Sequence, residues 1–282
     1  MTFSIVGFDP QTGEVGVAVQ SKFPCVGNVV PWAKAGVGAI ATQAWANPKY
    51  GPDGLRLLEE GHSVDEVVKL LTAADPGAED RQFGVIDAQG HAATFTGSGC
   101  MDWAGGIVGE NFACQGNILV SEATVQAMAR AFTETVGDLA ERLTMALMAA
   151  AEAGGDSRGM QAAALYIAKE NGGYLSNNDR YVDIRVDENP DPIVELRRIL
   201  KMYRILFYKT KPENIITLEG DTSAFMLAEL IKGGYYAGAA SDAWNETAQE
   251  ALNTFYSTEN FEERICDYGK IDREVIDYLK SV

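Results

Sequence analysis

Histidine is nearly missing from this chain: 282 residues hold two, His62 and His91, each standing alone in sequence. That weighs against an imidazole-rich zinc centre. It also weighs against a cysteine enzyme built on Cys25 or Cys114, since no histidine lies near either in sequence. Cysteine is scarce too: Cys25, Cys100, Cys114 and Cys266 are widely spaced, with no CxxC pair. They read as buried thiols of a protein kept in a reducing cytoplasm. Basic residues are few, 23 against 40 acidic ones, for a net charge of −17. No basic stripe exists to wrap a nucleic acid, and an anionic membrane surface would repel the chain. No apolar run approaches the roughly 18 residues of a membrane span. The start shows no basic region followed by a long apolar one, so no secretory signal is expected.

What is present is an ordinary globular composition, 46% hydrophobic and 22% charged, with a readable order of elements. FSIVGF (3–8) and EVGVAVQ (14–20) flank a DPQTG turn and predict an opening β-hairpin. Residues 26–41, interrupted by Gly36 and Gly38, read as two short strands or a bent one. YGPDG reads as a turn, followed by helices over 52–60 and 63–74. The second opens on Ser63 with Glu66 three residues on, a capping box. FGVID and HAATFTG make a second hairpin, and 105–119 adds further strand. Two long Ala- and Met-rich helices follow, over 121–134 and 137–153. QAAALYIAKE and NNDRYVDIRVDENP return as strands. Helix pairs alternating with antiparallel strands predict an α+β fold layered as an αββα sandwich rather than a parallel sheet. Pro192 suits the first turn of a closing helix. Beyond it the composition changes: residues 201–282 hold few glycines, many acidic and aromatic residues and three short helical patterns. The chain is therefore divided into a domain over 1–200 and a small all-α domain over 201–282. The tail is either a packing appendage of a homodimer or larger homo-oligomer, or a ligand-binding module.

The chemistry of the first strand depends on Thr2. A threonine hydroxyl is a weak nucleophile that needs a base within reach. Once Met1 is removed, the α-amine of Thr2 is such a base, with an ordinary pKa of about 7.7–8.0. A small second residue permits that removal, and a strand starting at once would hold Thr2 rigidly. The bland alternative is an unremarkable second residue. Ser4 lies two residues along, on the same face, and is expected to line the site. In a hairpin, Ser21 and Lys22 come back beside Thr2. Lys22 would then keep the amine neutral or stabilise negative charge; otherwise it is an exposed loop lysine. Asn47, Asn117, or backbone N–H groups near Gly99 or Gly116 are candidates for an oxyanion hole, against plain turn formation. Asp179, Arg180, Asp183 and Asp187 form a charged run that would hold a substrate carboxylate or ammonium, or else make a solvated face. A metal reading of these carboxylates lacks a recognisable binding loop.

Several blocks carry a resemblance: TFSIV, GEVGVAVQSKFPCVG, GAIATQAWANPKYGPDGL, MDWAG with CQGNIL, and NNDRYVDIRVDENPDPIVELRRIL. Over residues 2 to about 200 the chain resembles the DUF1028 family, which is grouped with the N-terminal nucleophile (Ntn) hydrolases. The resemblance implies an αββα sandwich, Thr2 as nucleophile and its α-amine as base. A looser likeness to proteasome subunits implies polar and basic roles for Ser21 and Lys22. The distant lysine of that wider group has no firm counterpart, Lys34 being the candidate. LAELIKGGYYAGAASDAWNETAQEALNTF is similar to the three-helix peptidoglycan-binding repeat, with Ala240 and Ser241 where an Asp-Gly pair is usual.

Two functions follow as expectations. One is an amidohydrolase that needs no cofactor or metal and acts on a small polar amide or peptide-like substrate. The other is a non-catalytic binding or structural protein of the same fold, with recognition by the C-terminal helices.

Overall fold

The computed structural model describes residues 2–281, and the chain divides between Arg198 and Ile199 into two compact units. In the first, β1 (Thr2–Phe8) and β2 (Val15–Ser21) form the expected hairpin, with Thr2 opposite Ser21. β3 (Pro31–Lys34), β4 (Gly38–Ala44), β5 (Arg81–Asp87) and β6 (Ala92–Thr96) make a four-stranded antiparallel sheet in chain order. β7 (Gly105–Gly109), β8 (Phe112–Asn117), β9 (Ala162–Ala168) and β10 (Arg180–Val186) join the hairpin in a six-stranded sheet, ordered β10-β9-β2-β1-β8-β7. All pairings are antiparallel. β1 is thus flanked on both sides, Thr2 lying level with Ser21 on one neighbour and with Asn117 on the other.

Alternation along β1 decides which side chain meets what, because successive residues point to opposite faces. Gly7 lies against Phe132 and Leu143, on the side of helices α3 (Ala123–Glu134) and α4 (Leu139–Glu152). Val6 and Phe8 cluster instead with Val17 and Val19 of β2 and with Ala39, Ala41 and Ile86 of the four-stranded sheet. The outward residues of that sheet, Ile40, Phe83 and Val85, pack with Tyr50, Leu57, Val67 and Leu71 of helices α1 (Tyr50–Glu59) and α2 (Val64–Ala74). The unit is a mixed α+β structure in which the two sheets touch and each has a helix pair against its other face. Each large aliphatic chain moved out of water here contributes about 1.5–3 kcal/mol before entropy is charged against it.

One local expectation is corrected. YGPDG is no turn but the start of α1. Gly51 and Gly54 are buried helix residues, because a Cβ on either would collide with Trp32 or Ile40. Close approach of helix to sheet, rather than turn chemistry, calls for them. The capping box on α2 forms as read: Ser63 N donates to Glu66 Oε2 at 2.9 Å, and Ser63 Oγ accepts from Glu66 N at 3.4 Å.

α5 (Pro192–Phe207) runs through the division between the units. The second unit holds α6 (Gly220–Lys232), α7 (Glu246–Thr258) and α8 (Arg273–Leu279). It is not purely helical. β11 (Ile215–Thr217) pairs antiparallel with β12 (Lys270–Asp272); the β-branched run Ile-Ile-Thr favours extended backbone there. Met226, Leu227, Leu252, Phe255, Tyr256 and Ile271 belong to a core of its own. Arg264 is buried in this unit and forms ion pairs with Asp272 at 2.7 Å and Glu274 at 2.8 Å. It also donates to the carbonyls of Ile205 and Arg204. Among the described residues no helix is long and apolar enough to cross a membrane.

Candidate functional site: a cleft at Thr2

Thr2 is buried to 7% exposure and borders a cleft of about 370 Å³. Its hydroxyl shares a hydrogen bond with Ser21 Oγ at 2.9 Å, and either group can donate. The hairpin register makes this pair, as the sequence implied. The remaining lining comes from Phe23 and a short 3₁₀ turn at Val26–Asn28, from the end of β4 with Trp45, and from Arg81 and Arg158.

Behind Thr2 lies a buried layer of amides. Gln43 on β4, Gln82 on β5, and Gln115 with Asn117 on β8 all face between the sheets, each at most 2% exposed. Ser4 Oγ donates to Gln43 Oε1 at 2.6 Å and accepts from Gln115 Nε2 at 2.7 Å. Gln43 Nε2 donates to Gln82 Oε1 at 2.7 Å and to the Thr2 carbonyl at 3.3 Å. Asn117 Nδ2 also donates to Gln82 Oε1, at 2.9 Å. Gln82 Nε2 in turn donates to Gly116 O at 2.7 Å and Thr96 Oγ1 at 2.9 Å. Gly84 leaves the room that the Gln115 amide occupies. A buried amide left without a partner costs about 1–3 kcal/mol, so a joined network of this kind fixes the register of all three strands at the Thr2 end.

Two arginines reach the cleft, each held by a carboxylate. Arg81 Nε donates to Asp75 Oδ2 at 2.9 Å, and its Nη1 donates to the Trp45 carbonyl at 2.5 Å. Asp75 also accepts from Asn47 Nδ2, the Tyr50 hydroxyl and Gly77 N. The Arg81 guanidinium, helped by these donors, holds the Asp75 carboxyl well below the usual carboxylate range. Burial, then the bond to Asp75, pushes the Tyr50 phenol above its ordinary value. Arg158 binds the fully buried Asp156 side chain through Nε and Nη2, at 3.4 and 3.3 Å. Asp156 also accepts from the backbone N–H groups of Lys22 and Arg158.

Of the residues singled out in the sequence, Thr2, Ser4, Ser21 and Asn117 come together here. Ser4 and Asn117 sit in the amide layer rather than on the cleft wall, and Asn117 spends its N–H on Gln82. Of its two readings Lys22 takes that of an exposed loop lysine: it follows Ser21 in the chain, and its ammonium donates to the Met160 carbonyl at 3.1 Å. Asn47 is no cleft residue; it braces Asp75. Lys34 pairs with Glu59 at 2.6 Å on the surface.

The charged run of β10 also lies apart from the cleft. Arg180 lies level with Ala168 and Val15, at the far end of the strands from Thr2, six residues or roughly 20 Å away. Asp183 is taken up by Arg185 and Arg180 on its own strand, and Asp179 closes a turn by accepting from Asn171 N. Cys114 is fully buried and bonds to α3, and burial pushes its thiol up to about 12. Among the described residues no three His, Cys, Asp or Glu side chains converge in a way that could hold a metal.

Sequence reasoning missed the glutamines and arginines. The glutamines had a signal: GAIATQA, RQFGVID and FACQGN each place one glutamine inside an apolar strand, and such groups need partners when buried. The arginines had none, for Arg81 and Arg158 come to the cleft from distant segments.

The family model described as "Putative peptidoglycan binding domain" matches residues 206–279. The model described as "Family of unknown function (DUF1028)" matches residues 2–196. A crystal structure of a DUF1028 protein from Silicibacter pomeroyi is similar at a TM-score of 0.67 and 29% identity, over 79% of this chain and 89% of that one. No curated protein matches the chain. With most of the chain and the whole lining of the Thr2 cleft inside the matched span, this protein belongs to the DUF1028 family.

Proposed function

We propose that the first unit is an amidohydrolase of the Ntn type, and that its sheets and helix pairs are the αββα sandwich of that class. Thr2 acts after removal of Met1, a step that concerns a residue outside the described range. The observation that carries the reading is the Thr2 hydroxyl, bordering a cleft while its strand is gripped on both sides. Its own α-amine sits on the same residue, so base and nucleophile need no further ordering.

In this reading Thr2 Oγ1 adds to the carbonyl carbon of a small polar amide or peptide-like substrate, and its proton passes to the α-amine. Ser21, within hydrogen-bond distance, orients the hydroxyl. The tetrahedral intermediate collapses, the C–N bond breaks, and the α-ammonium gives its proton to the departing amine. Water then attacks the Thr2 ester with the α-amine as base, releasing the acid and the free hydroxyl.

Two measurements test this. The mass of the mature chain should show Thr2 first, and a β-lactone probe should acylate it. Thr2→Ala should abolish labelling and amide hydrolysis with an unchanged urea midpoint. Met1 retained in the mature chain, or full hydrolysis by Thr2→Ala, overturns the mechanism.

The match of residues 206–279 favours a second reading, a binding protein that recognises its ligand through the second unit and leaves the first non-catalytic. A chain that keeps Met1, resists the probe and still binds a glycan polymer supports it.

A further inference from the structure

We infer that the Thr2 cleft selects a ligand carrying a carboxylate on an apolar body, and that Arg81 and Arg158 are the residues that read the carboxylate. The inference rests on the proposed role of Thr2 only for what happens after binding.

Charge is the first argument. The chain holds 40 acidic residues against 23 basic ones, yet the charged residues on the cleft wall are two arginines and no carboxylate. Each guanidinium is paired with a carboxylate set behind the wall, so a ligand inside the cleft meets the cationic end of an ion pair and no carboxylate.

Positioning is the second. Asp75 and Asp156 lie outside the lining and grip the two guanidiniums from there. Asp75 is itself fixed by Asn47, Tyr50 and Gly77, and Asp156 by two backbone N–H groups. A guanidinium has five N–H donors in a rigid plane, and Arg81 commits its Nε to Asp75 and its Nη1 to the Trp45 carbonyl, which does not exhaust it. Anchored in this way it meets a ligand carboxylate with little further loss of freedom.

The rest of the wall supplies the apolar half. Val26, Val29 and Val30 line it, and Phe23 and Trp45 remain 51% and 74% exposed beside them. Large exposed aromatics next to a cleft mark surface that a ligand covers.

Calorimetric titration with N-acetyl-L-phenylalanine and its uncharged amide tests the inference. The full chain carrying Thr2→Ala is the host, so that no turnover intrudes. The acid should bind at least ten-fold tighter than the amide. Adding Arg158→Gln should erase most of that preference, and Arg81→Gln should do the same should the first variant unfold. Equal affinities, no binding of either probe at millimolar concentration, or a preference untouched in both folded arginine variants overturns the inference. A wild-type chain that resists the β-lactone while its Thr2→Ala form keeps the acid preference sinks the hydrolase reading alone. Labelling at Thr2 without any acid preference sinks this one alone.

Discussion

At the scale of single residues, the Thr2 end of the sheets is a polar patch built where an apolar core would be expected. Val6 and Phe8 carry the same face of β1 into a hydrocarbon cluster, whereas Thr2 and Ser4 carry it into hydroxyls and amides. Asp75 gives this end a pH dependence of defined sign. Its folded pKa is depressed by Arg81, so its contribution is present above the unfolded value of about 3.9 and is lost as pH falls toward the folded one. Asp75→Asn is therefore expected to lower the urea midpoint at neutral pH. The gap from wild type should close progressively below about pH 4. A gap that stays constant to acid pH would show that Asp75 acts by packing alone. Thr2, Ser21 and their adjacency were legible because hairpin register is a local matter. Which of its two readings Lys22 takes was not legible, because proximity in register does not say where a long side chain goes, and its ammonium goes to the Met160 carbonyl.

At the scale of elements, α2 was readable because its start carries its own chemistry in Ser63 and Glu66. α1 was half misread because its glycines answer to Trp32 on β3 and Ile40 on β4, residues that a local reading cannot connect to it. This makes Gly54→Ala a discriminating substitution. Helix propensity alone predicts a gain of up to about 1 kcal/mol. The collision with Ile40 predicts instead a loss of about 1–3 kcal/mol by overpacking. We expect the loss, read as a lower urea midpoint, and a gain would mean that the helix shifts freely on the sheet. β11 and β12 went unread because three-residue strands carry too little alternation to stand out.

At the scale of the whole molecule, each unit has a core formed by its own residues. A fragment over 199–282 is expected to melt cooperatively by circular dichroism, with Arg264 and Asp272 paired inside it. A featureless melt would show that this core needs the rest of the chain. The mixed α+β character of the first unit was legible from the alternation of helix pairs and hairpins. That Arg81 and Arg158 line the same cleft was not, since only the closed fold brings those segments to it.

The position of β10 has a further consequence. Among the described residues it is an outermost strand of the six-stranded sheet, so one row of its peptide groups has no neighbouring strand there to pair with. Arg180, Asp183 and Arg185 stud that border with bound charge, the arrangement that deters a second molecule from adding its own strand there. Replacing all three with threonine should make the protein scatter more light on standing while its urea midpoint holds. Steady scattering would deny these charges that role. A segment that in one dimension looks like a grip for a ligand would then serve to keep neighbours apart.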